Sequence, residues 1–436
     1  MNAPERLEKL PQNWRFKRLS SLANSYAGGT PDRSKPEYFD GDIPWVKSGE
    51  VNRRKITHTE EGISEIGLSE SAAKIAESGS VLVAMYGATA GKVARLKIDA
   101  AINQAVLSIR TIGDELDNDF LFWVIESSAE KLLSMCQGAA QPNLSKGLID
   151  GLEIATPPLH EQQKIAAILT AVDDKLDVMA RQIEVTQALK QGLMQTLFSR
   201  GVGTQDATGR WMPHTEFKDS ELGEIPEGWL ITTLGAICNG ALQTGPFGSQ
   251  LHAAEYQNEG VPVLMPKDLL KCRANLSTAA RIAPARAGEL AKHKLVAGDL
   301  LFSRRGDVAR FALIDERSSG ALCGTGCLKA KPSEGYSSAY IAHLLQLDVV
   351  RAWLEQNAVG QTMPNMNTGI LASLPLVTPA NKQEQEAIAD ILDCVDAKTG
   401  LLFSKQLHFQ TLKRGLMQKL LTGEWRVKLD SPSGTA

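Results

Sequence analysis

The run EQQKIAAIL, from Glu161 to Leu169, returns later in the chain as EQEAIADIL, from Glu384 to Leu392, and LKQGLMQTL (Leu189 to Leu197) returns as LKRGLMQKL (Leu412 to Leu420). The same number of residues separates both pairs. Upstream, QPNLSKGLIDGLEI (Gln141 to Ile154) is answered by MPNMNTGILASLPL (Met363 to Leu376), and Leu10-Pro11-x-Asn13-Trp14 by Ile225-Pro226-x-Gly228-Trp229. An internal duplication dictates architecture before any single motif does, so the chain reads as two tandem halves. Each half opens on Pro-x-x-Trp, continues through a stretch rich in glycine, β-branched residues and turn signals, and closes on a segment of helical periodicity. The halves agree in those helices and diverge between Tyr26 and Arg110 and between Ile237 and Lys331, which share little beyond Gly79-x-Val81-Leu82 and Gly298-Asp299-Leu300-Leu301. That contrast describes one scaffold carrying two different globular parts.

In the first helical segment Ile165, Leu169, Val172, Leu176, Met179, Ile183, Thr186, Lys190, Leu193 and Leu197 alternate steps of four and three, the seam of a coiled coil. The second copy gives Ile388, Leu392, Val395, Thr399, Leu402, Gln406, Phe409, Lys413, Leu416 and Leu420, with Lys190 and Lys413 in the same place. Pro157-Pro158 and Pro379 mark the starts, Gly201 and Gly423 the stops. At 1.5 Å per residue, ~38 residues make a rod of roughly 57 Å. Such a rod with one apolar stripe is unstable alone, and its own repeat is the nearest complement. The expected fold is α+β: two globular halves and two long helices that pair as an antiparallel coiled coil, related by an approximate in-chain twofold axis. The competing arrangement packs each amphipathic helix on its own half.

The 436 residues are 43% hydrophobic and 22% charged, with mean hydropathy −0.16, values of an ordinary globular chain with room for about three compact units. A net charge of −3 and a pI near 6.2 exclude a protein held to nucleic acid by bulk positive charge, so any such contact is local. The absence of a leader-like N-terminus and of an apolar run of ~18 residues leads us to expect a cytoplasmic protein with no membrane partner. Cys136, Cys238, Cys272, Cys323, Cys327 and Cys394 lack CxxC or zinc spacing and read as reduced structural thiols.

Several catalytic motifs fail on inspection. Thr156-Pro157-Pro158-Leu159 lacks the amide or carboxylate and the stacking ring of an adenine-holding tetrapeptide, and Thr378-Pro379-Ala380-Asn381 loses the motif. Gly87-Ala88-Thr89-Ala90-Gly91-Lys92-Val93 is one spacer short of a phosphate loop, with Val93 where a hydroxyl must reach magnesium. A glycine turn ending in Lys92 still suits a nucleic-acid phosphate. The seven histidines form no metal or triad pattern.

This arrangement resembles the specificity (S) subunit of type I restriction-modification systems. The resemblance covers essentially the whole chain. It rests on the Trp14 and Trp229 openings, on Gly28-Gly29-Thr30-Pro31 and Ile43-Pro44-Trp45-Val46, on Thr244-Gly245-Pro246-Phe247-Gly248-Ser249 and Gly260-Val261-Pro262-Val263, and on the duplicated helices. It implies a non-catalytic reader of double-stranded DNA. Two target recognition domains, 1–155 and 225–378, each take one half of an asymmetric bipartite sequence. The helices, 156–200 and 379–423, act as a ruler, with a linker at 201–224 and a tail at 424–436. Two methyltransferase (M) subunits with S-adenosylmethionine, and two restriction (R) subunits with ATP and Mg, are the implied partners; no cofactor is expected in this chain. A structural adaptor whose halves bind proteins is the alternative.

Candidate DNA contacts are basic and amide residues among glycines and turns. In the first half they are Arg53, Arg54, Lys55, the turn Gly87, Thr89, Gly91 and Lys92, and Asn103 with Gln104; in the second, Gln243, Ser249, Lys267, Arg304, Arg305 and Arg310. Arginine suits guanine bidentately, and asparagine or glutamine suits adenine. A solvated charge or an ordinary turn residue is the competing reading of each.

Overall fold

The computed structural model describes residues 10–136, 143–220, 223–246, 250–360 and 364–428. It divides into two compact units, Met1–Arg181 with Phe403–Ala436, and Gln182–Leu402. In the first unit, strands β1 (Arg15–Arg18), β2 (Ala23–Ala27), β3 (Phe39–Val46), β4 (Lys55–Ile56) and β5 (Glu61–Ile63) precede α1 (Glu65–Ser69). Strands β6 (Lys74–Ala76), β7 (Val81–Ala84), β8 (Val93–Leu96), β9 (Ala100–Ile102) and β10 (Val106–Thr111) lead to α2 (Asn118–Ser134), α3 (Lys146–Asp150), β11 (Glu153–Thr156) and α4 (Leu159–Arg200). They form a five-stranded sheet in the order β2-β10-β7-β8-β4, a four-stranded sheet β5-β3-β9-β6, and the pair β1-β11.

The uninterrupted apolar run Val81–Ala84 is explained by burial on both faces. Val81 and Val83 join a core with Phe120, Trp123 and Ile165, while Leu82 and Ala84 join a second core with Val46, Ile56 and Ile102. Successive side chains of a strand point to opposite faces, so a sheet covered on both sides needs apolar residues at every position. Helix α2, capped by the Asp117 side chain, packs on β7 and β8.

In the second unit the last part of α4 is followed by two short hairpins, β12 (Thr204–Gln205) with β13 (Trp211–Met212) and β14 (Phe217–Lys218) with β15 (Ile225–Pro226). There follow β16 (Trp229–Thr233), α5 (Leu234–Ile237), β17 (Leu242–Thr244), β18 (Val261–Leu264), β19 (Leu269–Leu270), β20 (Cys272–Ala274), β21 (Ala280–Ile282) and α6 (Pro284–Glu289). Strands β22 (Leu300–Ser303), β23 (Phe311–Leu313), β24 (Leu322–Cys323) and β25 (Cys327–Ala330) lead to α7 (Ser338–Leu344), α8 (Asp348–Asn357), α9 (Thr368–Ala372), β26 (Pro375–Pro379) and α10 (Lys382–Leu420). The sheet orders are β17-β25-β22-β23-β20-β19, β21-β18-β24 and β16-β26. The order of the shared strands repeats that of the first unit, including the parallel pairs β4-β8 and β20-β23, and β3-β9 and β18-β24, while β19 is added at one edge and an isolated bridge between Lys294 and Leu322 stands where β6 pairs with β9. The two dissimilar stretches of sequence therefore share one topology. Leu300 and Phe302 face one core and Leu301 another, as their counterparts do.

Helices α4 and α10 span 42 and 39 residues, and every seam position from Ile165 to Leu197 and from Ile388 to Leu420 is buried or half-buried. In the first unit Leu416 and Leu420 pack in the core of Ile165 and Leu169, and Lys413 Nζ donates to Asp173 Oδ1 at 2.8 Å. Within the second unit, Leu193 and Leu197 pack with Ile388 and Leu392, and Lys190 Nζ donates to Asp396 Oδ2 at 2.8 Å. Rising numbers on one helix meet falling numbers on the other in each unit, so the paired stretches run antiparallel. The sequence division into separate helices and globular halves differs from this one. Each helix is shared between the units because each part of its apolar stripe packs on the globular core beside it.

The repeated tryptophans and glutamates meet. Glu161 is buried, and its Oε2 accepts from Trp14 Nε1 at 3.1 Å while Arg426, from the C-terminal tail, donates through Nε at 2.7 Å. Glu384 accepts from Trp229 Nε1 at 3.2 Å, from the backbone amides of Val202 and Gly203 at 3.1 and 3.0 Å, and lies 2.9 Å from His214 Nε2. The adjacent amides close each helix start: Gln162 donates to Pro157 O and Gln385 to Pro379 O. Among the described residues, no helix is long and apolar enough to cross a membrane.

Candidate nucleic-acid interface

The β7–β8 and β22–β23 hairpins are built alike. Val83 lies opposite Val93 and Phe302 opposite Phe311, and beyond those pairs Ala84 N donates to Lys92 O and Ser303 N to Arg310 O. Each tip turns through a glycine in the left-handed region, Gly87 at φ +81 and Gly306 at φ +75, a conformation that a side chain disfavours. Each is clamped by the repeated Pro-Asn segment. Leu144 N donates to Met85 O at 2.7 Å and Met366 N to Arg304 O at 2.8 Å, with bridges pairing Tyr86 with Asn143 and Arg305 with Asn365. A third turn closes the cluster, Met85 N donating to Ala105 O and Arg304 N to Gly326 O. Two unrelated-looking sequences thus present one loop frame, with Lys92 and Arg310 at matching positions.

The structure brings most of the candidates onto this frame. Lys92 is exposed at the first tip, Thr89 is half-buried and Gly91 is buried. Asn103 Oδ1 accepts from Ala105 N in the adjacent turn, and Gln104 is exposed and bonded to Thr30. At the second tip Arg305 is exposed, and Arg310 donates to Pro266 O and Asp307, tying the hairpin to the turn that exposes Lys267. Arg304 Nε and Asn365 Oδ1 are buried without a hydrogen-bond partner among the described residues. Gln243 lies on edge strand β17 instead, its amide 3.0 Å from His293 Nδ1. Ser249 falls outside the described residues.

Arg53, Arg54 and Lys55 lie away from the hairpin tips and are ion-paired. Arg53 pairs with Glu50 and Glu60, and Lys55 with Asp174 and Asp177 on α4. Arg54 pairs with Glu126 on α2 and, at 3.0 Å, with Asp173 on α4, its guanidinium over the Trp123 ring. Burial works against the Arg54 charge, but Glu126 and Asp173 outweigh it and hold the group protonated beyond its usual range. Burial likewise raises Asp173, and Lys413 and Arg54 more than offset that, leaving it below the usual carboxylate range. Arg54 and Lys55 thus fasten a globular part to α4 through carboxylates distant in sequence, whereas Arg53 is held locally by Glu50 and Glu60; within the fold each of the three already has ion-pair partners.

The sequence reading missed Tyr86, which is not basic, and the clamping role of Asn143 and Asn365, although their duplicated strings were visible. It also missed Asp173 and Asp396, whose spacing equals that of Lys190 and Lys413. All six cysteines are free, and burial pushes the Cys238 and Cys323 thiols up to about 12, which makes them inert. Among the described residues, no group of three or more His, Cys, Asp or Glu side chains is placed to hold a metal ion.

Comparison with known proteins bears on this frame. The model of the type I restriction modification DNA specificity domain matches twice, at residues 11–187 and 226–406. The chain is 23% identical over 429 residues to the type I restriction enzyme MjaVIII specificity subunit of Methanocaldococcus jannaschii, covering 96% of this chain and 95% of that one. It is 25% identical over 194 residues to the EcoR124I/EcoR124II specificity subunit of Escherichia coli, covering 42% and 48%. Its fold resembles the crystal structure of a type I restriction-modification S subunit from M. genitalium, with TM-score 0.62 and 17% identity over 95% of this chain and 98% of that one. It also resembles a chain from a study of type I complex assembly and conformational transition, with TM-score 0.51 and 18% identity over 96% and 100%. Two copies of the specificity domain, each carrying a clamped loop frame and running into a long helix, make this chain a member of the type I restriction-modification specificity-subunit family, whose members recognise DNA and are not catalytic.

Proposed function

We propose that the chain reads an asymmetric, bipartite DNA target, one loop frame per half-site, and that α4 and α10 pair as a continuous antiparallel coiled coil with pseudo-twofold symmetry, setting the spacer between the half-sites. The observation that carries this reading is the pair of equivalent hairpin tips bearing different side chains, Tyr86 and Lys92 in one and Arg305 and Arg310 in the other. One frame with unlike chemistry fits one reader per unlike half-site, and half-site spacing follows from protein geometry.

Methylation and cleavage belong to partners in this proposal. Two M subunits supply S-adenosylmethionine chemistry at N6 of adenine, flipping the base out of the duplex. Two R subunits supply ATP- and Mg-dependent translocation and cleavage, and the assembly works in the cytoplasm. Exposed apolar side chains on the helices offer docking area: Val178, Leu407 and Leu412 in the first unit, Val185, Leu189 and Leu401 in the second. Partner subunits also share the phosphate contacts that a net charge of −3 leaves weak in this chain.

A genome-wide N6-methyladenine map of the host with and without the gene tests the proposal. Loss of one bipartite asymmetric motif on deletion is the expected result. An unchanged map, together with no sequence-dependent DNA binding in the presence of the companion methylase, overturns it in favour of a protein-binding adaptor.

A further inference from the structure

From the contrast between the two tips we propose that the residue before the tip glycine, Tyr86 in the first half and Arg305 in the second, fixes the base recognised at one position of each half-site, with Arg305 reading a guanine. The inference rests on the DNA-reading function and adds the residues that make the half-sites differ. Its frame is fixed by backbone bonds that owe nothing to those side chains. On one flank Met366 N donates to Arg304 O, on the other Gly306 N donates to Pro364 O at 3.2 Å, and the bridge to Asn365 sets the register between them. The bridge between Tyr86 and Asn143 sets the same register in the first half. A side chain at this position is therefore presented from an equivalent backbone site in both halves, and its chemistry decides what it meets.

Of the candidate arginines, Arg305 is the exposed one without an ion-pair partner among the described residues. Arg54 is enclosed by Glu126 and Asp173, and Arg310 is tied at 3.3 Å to both Pro266 O and Asp307, whereas Arg305, among the described residues, has no such tie. A guanidinium matches the O6 and N7 acceptors of guanine in the major groove, which a tyrosine hydroxyl cannot do bidentately. Next to it in sequence and across the bridge, Arg304 Nε and Asn365 Oδ1 are a buried donor and a buried acceptor with no partner among the described residues. Those two atoms are closed off from solvent, so the exposed Arg305 side chain is the part of the tip that a base can reach.

The test is to complement the gene deletion with full-length variants, the companion methylase present, and to map N6-methyladenine. Arg305→Gln and Arg305→Lys are expected to relax one guanine of one half-site on the order of tenfold to a hundredfold, leaving the other half-site and the spacer unchanged. Tyr86→Arg is expected to alter the other half-site alone, adding a guanine preference at the corresponding position. Unchanged motifs overturn the inference while the unaltered chain still directs bipartite methylation, and so does an equal loss at both half-sites. No bipartite methylation by the unaltered chain overturns the function itself, and this inference with it.

Discussion

Glu384 is a buried hydrogen-bonding junction of the second unit. Its carboxylate gathers an indole, two backbone amides and an imidazole, so removing it strands several buried donors at once. Glu384→Ala is expected to destabilise the protein by about 3–5 kcal/mol, the scale for breaking a buried charged network. Glu384→Gln keeps one acceptor oxygen and is expected to cost less; urea denaturation of both variants checks the order. Asp173 gives the pH-dependent counterpart. Its folded carboxyl lies below the ordinary value of about 3.9, so its stabilisation is full above that value and is lost as pH falls through the folded one. Asp173→Asn is expected to be less stable than the parent at pH 7, with the gap closing below about pH 4 in denaturation series. Neither carboxylate could be matched to its partners by reading: Trp229 and Glu384 stand 155 residues apart, Asp173 and Lys413 240, and only folding joins them.

At the scale of elements, the ends of the long helices were legible because local chemistry decides them. Prolines cannot enter a helix interior, and a glycine ends one readily in the left-handed conformation. Helix α4 does end at Arg200, with Gly201 at φ +67. The structure adds a constraint that no local rule contains. A Cβ on Gly201 would stand 2.2 Å from Glu384 Oε1 and 2.9 Å from Trp229 Cζ2. Gly201→Ala is thus expected to destabilise by about 1–3 kcal/mol, through strained backbone and displacement of the carboxylate, read as a lowered melting temperature. The strands were legible only in part. Runs such as Val81–Ala84 announce burial on both faces, but pairing order depends on contacts far along the chain, and the shared topology of two unlike stretches was invisible in sequence.

For the molecule as a whole, the first unit is assembled from both ends of the chain, since Phe403–Ala436 returns to Met1–Arg181 and Arg426 reaches Glu161. Truncation after Leu421 is expected to lower the stability of that unit while sparing the second, a split that hydrogen exchange resolves unit by unit. If the paired helices set the spacer, inserting about one helical turn into both is expected to lengthen the tolerated gap in the methylated motif. Neither half-site should change, and an unaltered spacer rejects the ruler.

The sequence by itself determined the duplication, the two helices and their apolar seam, and the family, because repeats, periodicity of 3.6 and helix-stop signals are all short-range information written in consecutive residues. The tertiary structure alone decided which cations face outward. Arg54 and Arg305 look equivalent as letters, each basic and next to another basic residue. One is enclosed by carboxylates from α2 and α4, while the other stands exposed on a clamped hairpin. Charge is a property of the residue, but its availability depends on what long-range packing brings within a few ångströms, where the Coulomb energy of a half-buried pair becomes decisive.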